Sequence, residues 1–382
     1  MSGSAPTPIN REPIAIIGIG IVSAAGHGIA ETRKALREGR SGLGRLTLFE
    51  SPLCGRYPVA QVAGLDARPR TIALGRLALA EAIKDIDPAR CGLALGTTVG
   101  GMPESEISLP QYYADEPVVD ADVWRRHELG SVTAELAAEF GLRGPQLTIN
   151  SACASGAEAI ACAAELLRDG EADLMVAGGA DAMCALTLNG FASLLAVDEQ
   201  GCRPFDRDRE GMSLGEGAAF VVLQRTADRP LALLDGWGNS CDAHHATAPD
   251  PEGRGAAQAM RAALGDNSHV DYINAHGTGT PDNDRAESRA MRSVFGEAVP
   301  PFSSTKRVFG HTLGAAGAIE AVVSVLAIHD GFLPGNPGFE HPDPECGLVP
   351  LQDTVERRPR RVLSHSFGFG GTNSVLCLRA PV

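Results

Sequence analysis

The chain has 382 residues, 44% hydrophobic and 21% charged, with a formal net charge of −14. Its length exceeds one ordinary core and predicts two packed halves, and its composition is that of a globular protein rather than a disordered or fibrous one. The charge argues against a nucleic-acid partner, because nothing would neutralise a run of phosphates.

Residues 1–13 are polar, with Pro6, Pro8 and Pro13, and lack the charged-then-apolar layout of a signal peptide. Residues 14–17 read as a buried strand that ends in a glycine turn, followed by a helix over 29–38. The apolar run 14–25 is too short to span a membrane. Gly18-x-Gly20 invites a dinucleotide reading. Ser23 stands where the third glycine belongs, and no acidic residue ends a second strand about 20 residues on, so that reading is set aside. A helix over 74–86 and a strand over 92–96 follow. Residues 103–130 are polar and Pro-containing, and read as an irregular surface excursion. Helix resumes over 131–140.

Next comes the most informative unit: a strand over 146–150, a helix over about 153–169 and a strand over 173–177. Ala157, Ile160, Ala161, Ala164 and Leu167 share one helix face. The flanking strands are short and apolar, as in a parallel sheet covered on both faces. Cys153 falls where the strand gives way to the helix. Unpaired N–H groups and the positive dipole end at a helix start stabilise a thiolate, so the thiol reads as an activated nucleophile. A buried, inert cysteine is the plain alternative. The nine cysteines are scattered and form no C-x-x-C pair, which predicts neither disulfides nor zinc and fits a reducing, cytoplasmic compartment.

Beyond Pro230 the chain reads as a strand over 231–234, a strand over 271–275 ending in His276, a helix over 285–295, a strongly apolar helix over 317–330 and a closing hairpin over 361–366 and 374–379. A repeat is visible. Gly156-Ala157 opens a helix that closes at Asp169-Gly170, and Gly317-Ala318 opens one that closes at Asp330-Gly331, each with an early Glu (Glu158, Glu320). With the strand pattern this predicts a duplicated α/β unit, divided at 1–228 and 229–382.

Four glycine-rich segments stand at strand ends or helix starts, the usual place for ligands in α/β sheets. They hold Cys153; His276-Gly277-Thr278-Gly279-Thr280; Ser303-Ser304-Thr305-Lys306 with Gly310-His311; and Phe367-Gly368-Phe369-Gly370-Gly371-Thr372-Asn373. Singly each has a bland account. Jointly they closely resemble the elongating β-ketoacyl-acyl carrier protein synthases, over nearly the whole chain. Gly141-Leu142-Arg143-Gly144-Pro145, Arg203-Pro204-Phe205-Asp206 and Gly215-Glu216-Gly217-Ala218 share the resemblance.

The resemblance implies the thiolase fold: two βαβαβαββ-like halves in a five-layer αβαβα sandwich. It implies a decarboxylating Claisen condensation, in fatty-acid or polyketide/polyene synthesis. Cys153 would carry the acyl group, with its pKa lowered by the helix start, and the N–H groups of Cys153 and Phe369 would form the oxyanion hole. His276 and His311 would donate Nε2–H to an enolate. Lys306 and Glu320 would neutralise one another and orient His311, and Thr278 and Thr280 would contact the pantetheine arm. Phe367 and Phe369 would line the substrate site. The substrates ride on the phosphopantetheine of an acyl carrier protein, so neither metal nor other cofactor is implied. The assembly implied is a homodimer, or a heterodimer with a chain-length-factor-like subunit, with no membrane or nucleic-acid partner.

The sequence also departs from the pattern. It is shorter, partly in 103–130. Val99 and Met212 stand where bulkier pocket residues are common, which predicts a roomier acyl tunnel. Arg68, Arg70, Arg125, Arg126 and Arg203 are candidates for docking an acidic carrier. A non-catalytic chain-length factor would lack Cys153. A starter-type synthase would show Cys–His–Asn, and a thiolase a second catalytic cysteine, whereas Cys377 lies inside the last strand.

Overall fold

A computed structural model of the chain describes residues 12–114, 116 and 122–381. The polar stretch up to Arg11, and 115 and 117–121 within the 103–130 excursion, lie outside the described residues. The first half runs β1 (Ile14–Ser23), β2 (Gly26–His27), α1 (Ile29–Glu38), α2 (Arg70–Ala82), β3 (Cys91–Gly96), α3 (Met102–Tyr113), α4 (Val123–Arg126), α5 (Leu129–Phe140), β4 (Gln146–Ile149), α6 (Ser155–Arg168), β5 (Leu174–Asp181), α7 (Ala185–Ser193) and β6 (Gly217–Gln224). The second runs β7 (Ala232–Cys241), α8 (Arg254–Leu264), β8 (Tyr272–Asn274), α9 (Pro281–Phe295), β9 (Phe302–Ser303), α10 (Lys306–Phe309), α11 (Ala316–Asp330), β10 (Arg361–Gly368) and β11 (Thr372–Arg379).

Strand order is β4-β3-β5-β6-β1 in the first half and β9-β8-β10-β11-β7 in the second, with β1 and β7 pairing antiparallel at Ile14–Leu234. The same βαβαβαββ order therefore occurs twice, with identical parallel and antiparallel relations. Helices α2 and α5 cover one outer face and α8 and α9 the other, while α6 and α11 lie between the sheets. This is the five-layer thiolase fold. Helix α11 is buried along nearly its whole length. The run Leu313–Asp330 is apolar and long enough to cross a membrane by composition, but 89% of it is buried inside the protein, as befits a helix covered by sheet on two sides.

Two sequence expectations fail for physical reasons. Strand β1 does not turn at Gly18; it continues to Ser23. A Cβ at Gly18 or Gly20 would lie 2.4 or 2.1 Å from the carbonyl oxygens of Ala82 or Ala78, so these glycines let α2 lie directly on the strand. The stretch read as irregular begins with helix α3. Pro103 sits in its first turn, where no N–H bond is forfeited, and the helix continues through Pro110.

The two central helices cross where glycine is needed. A Cβ on Gly156 would stand 2.8 Å from the Ala318 nitrogen, and one on Gly317 2.8 Å from the Ala157 nitrogen. The reciprocity reflects the duplication and brings the starts of α6 and α11 together.

Candidate active site

Between β4 and α6 the chain makes a sharp elbow in which Ala152 has φ 52°, an uncommon conformation for a non-glycine residue. Ser155 clamps it. Its Oγ accepts the Ser151 N–H at 2.9 Å and donates to the Ala152 carbonyl at 2.6 Å. Cys153 is thereby held at the floor of a cavity of about 370 Å³, which it lines together with His276, His311, Phe367 and Phe369. It is 7% exposed.

The thiol corrects one expectation. Cys153 precedes the first residue of α6, Ser155, and its pKa is not lowered. Burial pushes it up to about 11, against the opposing pulls of the Lys306 charge and the Phe369 N–H. The Phe369 N–H is thus one of the groups that favour the thiolate, and the loop that carries it packs on Phe191 with ring centroids 5.5 Å apart.

His276 follows β8. Its N–H and that of Gly277 donate to the two carboxylate oxygens of Glu287, at 2.9 and 2.8 Å, and its carbonyl accepts Lys306 Nζ at 2.8 Å. His311 is held from the other half: its N–H donates to the Ser213 carbonyl at 2.7 Å, and its carbonyl accepts the Gly215 N–H at 3.0 Å. The Leu313 N–H donates to His311 Nδ1 at 3.2 Å, which leaves the hydrogen of the neutral ring on Nε2. The two imidazoles meet edge to face, with centroids 5.4 Å apart. Burial, and then the Lys306 charge, hold both well below the usual histidine range, so both rings are neutral N–H donors.

Lys306 and Glu320 form a buried ion pair. Burial pushes Glu320 up to about 7 while Lys306 pulls the other way. The hydrogen bond from Lys306 goes to the backbone of His276, not to His311. Thr278 and Thr280 line the cavity with hydroxyls 2.8 Å apart, and Met212 lines it too. Val99 does not. It is buried in an apolar cluster with Met212, Met183 and Leu188, and its N–H donates to Asp181 at 2.9 Å.

The five arginines divide. Arg70 is buried and paired with Glu216 at 2.5 Å, so it is a core residue and not a docking one. Arg203 and Arg126 are largely covered and paired with Asp198 and Glu135. Arg68 and Arg125 remain well exposed, each bridged to an acid, Glu104 and Glu135 respectively.

Three acids escaped the sequence reading. Besides Glu287, Asp284 accepts the Phe205 N–H at 2.7 Å and faces Arg209 at 3.5 Å. Asp181 gathers Thr97, Thr98, Val99 and, across the seam between halves, the Gly314 N–H at 2.7 Å. Asp284 and Glu287 left a signal: two acids at i, i+3 spacing open the helix right after the His276 loop, placed to accept its backbone N–H groups. Asp181 left only its position at the end of an apolar strand.

A thiol at an elbow, two neutral imidazoles and a backbone N–H, joined across the seam of a duplicated βαβαβαββ sandwich, define a thiolase-fold acyl-transfer enzyme. The comparisons narrow the class. The Beta-ketoacyl synthase N-terminal domain matches residues 75–229 and the C-terminal domain residues 231–340. A 3-oxoacyl-[acyl-carrier-protein] synthase 2 from Coxiella burnetii is 34% identical, over 97% of this chain and 99% of its own length. The tetracenomycin polyketide synthase ketoacyl synthase alpha subunit of Streptomyces glaucescens is 33% identical, over 96% of this chain and 97% of its own. Among solved structures, the ishigamide ketosynthase/chain length factor superposes with a TM-score of 0.89 at 32% identity, covering 97% of this chain and all of that one. The chain belongs to the β-ketoacyl synthase family.

Proposed function

We propose that this protein joins an acyl group held on Cys153 to a malonyl group held on acyl carrier protein, with loss of CO₂. The observation that carries the reading is the meeting of the Cys153 thiol, the Phe369 N–H and two neutral imidazoles in one cavity.

Cys153 attacks the acyl-carrier thioester, its proton passes to the departing carrier thiol, and an acyl-Cys153 thioester remains. The N–H groups of Cys153 and Phe369 take up the negative charge on the carbonyl oxygen. In the second half the C–C bond to the malonyl carboxylate breaks, and its electron pair moves into an enolate that the His276 and His311 N–H groups stabilise. The carbanion carbon attacks the acyl-Cys153 carbonyl and expels the Cys153 thiolate, giving β-ketoacyl carrier protein. The Lys306–Glu320 pair supports the backbone of His276, and Thr278 and Thr280 bind the pantetheine arm. Substrate passes Met212, Phe367 and Phe369. The chemistry draws on no cofactor beyond that arm. We assign the halves to 1–228 and 229–382, a cytoplasmic setting, and carrier docking through Arg68 and Arg125.

A second reading is favoured by the likeness to the ishigamide ketosynthase/chain length factor: the chain is the catalytic subunit of a heterodimer with a chain-length-factor-like partner. Purification alone and with such a partner separates this from a homodimer.

Intact-mass measurement with a panel of acyl-carrier thioesters tests the chemistry. Cys153→Ala should abolish the acyl adduct and retain some malonyl decarboxylation. His311→Ala should acylate and fail to decarboxylate. Condensation at the parental rate by Cys153→Ala would overturn the assignment.

A further inference from the structure

Beneath the two imidazoles of the site lies a third, which the chemistry above does not use. His365, in β10, is fully buried, and its Nδ1 stands 2.9 Å from Glu287 Oε1. The same Glu287 carboxylate accepts the N–H groups of His276 and Gly277. His365 reaches His276 by a second route as well. Its ring stacks on Phe367 with centroids 5.5 Å apart and planes 29° apart, and Phe367 lies 5.7 Å from the His276 ring. His365 Nε2 is buried with no hydrogen-bond partner. A buried polar atom without a partner is costly, so an apolar side chain would pack here at less expense unless the other nitrogen has a use.

We propose that His365 is a positioning residue for His276. Its Nδ1–H donates to Glu287 and holds that carboxylate in the orientation that pins the His276–Gly277 backbone, while its ring supports Phe367 from below. Glu287 accepts three short hydrogen bonds from two elements, the loop after β8 and strand β10. Without the His365 donor the carboxylate keeps the His276, Gly277 and Asn283 donors but loses its tie to strand β10, and the His276 loop it holds can shift relative to the thioester oxygen. The ring is useful as an N–H donor only within hydrogen-bond reach, so a small displacement is felt in rate.

The inference rests on the reading of His276 as an enolate donor, and this makes its test selective. His276 serves decarboxylation and condensation but not the transfer of the acyl group to Cys153. Misfolding would lower all three together. The measurements are the rate of Cys153 acylation by intact mass, the rate of malonyl-carrier decarboxylation by CO₂ release, and the melting temperature. His365→Leu keeps the bulk and removes the donor. Decarboxylation and condensation should fall about 10- to 100-fold while acylation stays within about twofold of the parent. His365→Asn, whose amide donates from nearly the position of Nδ1, should recover decarboxylation to within about threefold of the parent. If His365→Leu does not fold, His365→Ser carries the same expectation, since it leaves room for water but cannot span the gap to Glu287. The proposal is overturned if decarboxylation by the Leu or Ser variant matches the parent, if acylation and decarboxylation fall in equal proportion, or if Asn restores stability without restoring decarboxylation. Failure of the parent protein itself to form acyl-Cys153 would instead overturn the assigned chemistry.

Discussion

At the scale of single residues, Cys153 is held as a neutral thiol. The sulfur is buried, and its pKa is pushed up to about 11 because desolvation outweighs the Lys306 charge and the Phe369 N–H. The thiolate is the reactive form, so its fraction rises about tenfold per pH unit until the pKa is reached. Alkylation of the Cys153 peptide by iodoacetamide, followed by mass spectrometry, should therefore climb steadily from pH 7 to beyond pH 9. A plateau near pH 7 would mean that the cavity holds a thiolate at rest. Cys153, His276 and His311 were legible because each stands in a glycine-rich run at a strand end. Glu287 left only its i, i+3 spacing from Asp284 and His365 left no signal, because their pairing brings together segments 78 residues apart. The absence of Val99 from the cavity wall was hidden for a related reason: sequence shows that a residue is small and apolar, not whether it lines a cavity or packs into the apolar cluster beside it.

At the scale of elements, the two central helices were legible because their glycines, early acids and closing Asp-Gly pairs repeat at equal spacing. Their contact was not, since it depends on the absence of side chains. With a Cβ at Gly156 or Gly317 only 2.8 Å from a backbone nitrogen of the opposing helix, neither helix can yield without disturbing its packing, α6 on β5 and β3 and α11 on β10 and β6. Gly156→Val should cost about 1–3 kcal/mol or more by overpacking, read as a lower urea midpoint with unchanged slope. It should also lower acylation, since α6 starts two residues after Cys153. Unchanged stability would show that the helices slide apart freely. Strand β1 and helix α3 were misread because Gly and Pro were taken as breakers. In the fold the glycines are there for close packing, and Pro103 lies where helices tolerate proline.

At the scale of the molecule, a net charge of −14 sets the terms for a carrier that is itself acidic: attraction must come from local cations. Arg68 and Arg125 are the exposed members of the candidate set, and Arg70 is the buried one. Their substitution should separate cleanly. Arg68→Glu should raise KM for carrier-bound substrate several-fold, more so at low salt, with only a small fall in melting temperature from the lost Glu104 pair. Arg70→Ala should leave the buried Glu216 unpaired and cost about 3–5 kcal/mol of stability. A KM unaffected by Arg68→Glu at any ionic strength would remove that residue from the docking surface.

The seam between the halves has one more consequence. His311 hangs from Ser213 and Gly215, and Gly314 is tied to Asp181, so these second-half residues take their final places only when the two halves are docked. The same event covers the thiol, which is 7% exposed in the finished fold. A chain with one half still unfolded presents Cys153 as an ordinary, wetted cysteine, quickly blocked by a maleimide pulse, while a finished chain resists it. Protection of Cys153 during refolding should therefore appear together with the docking of the halves, and protection that precedes docking would show that the first half alone covers the thiol.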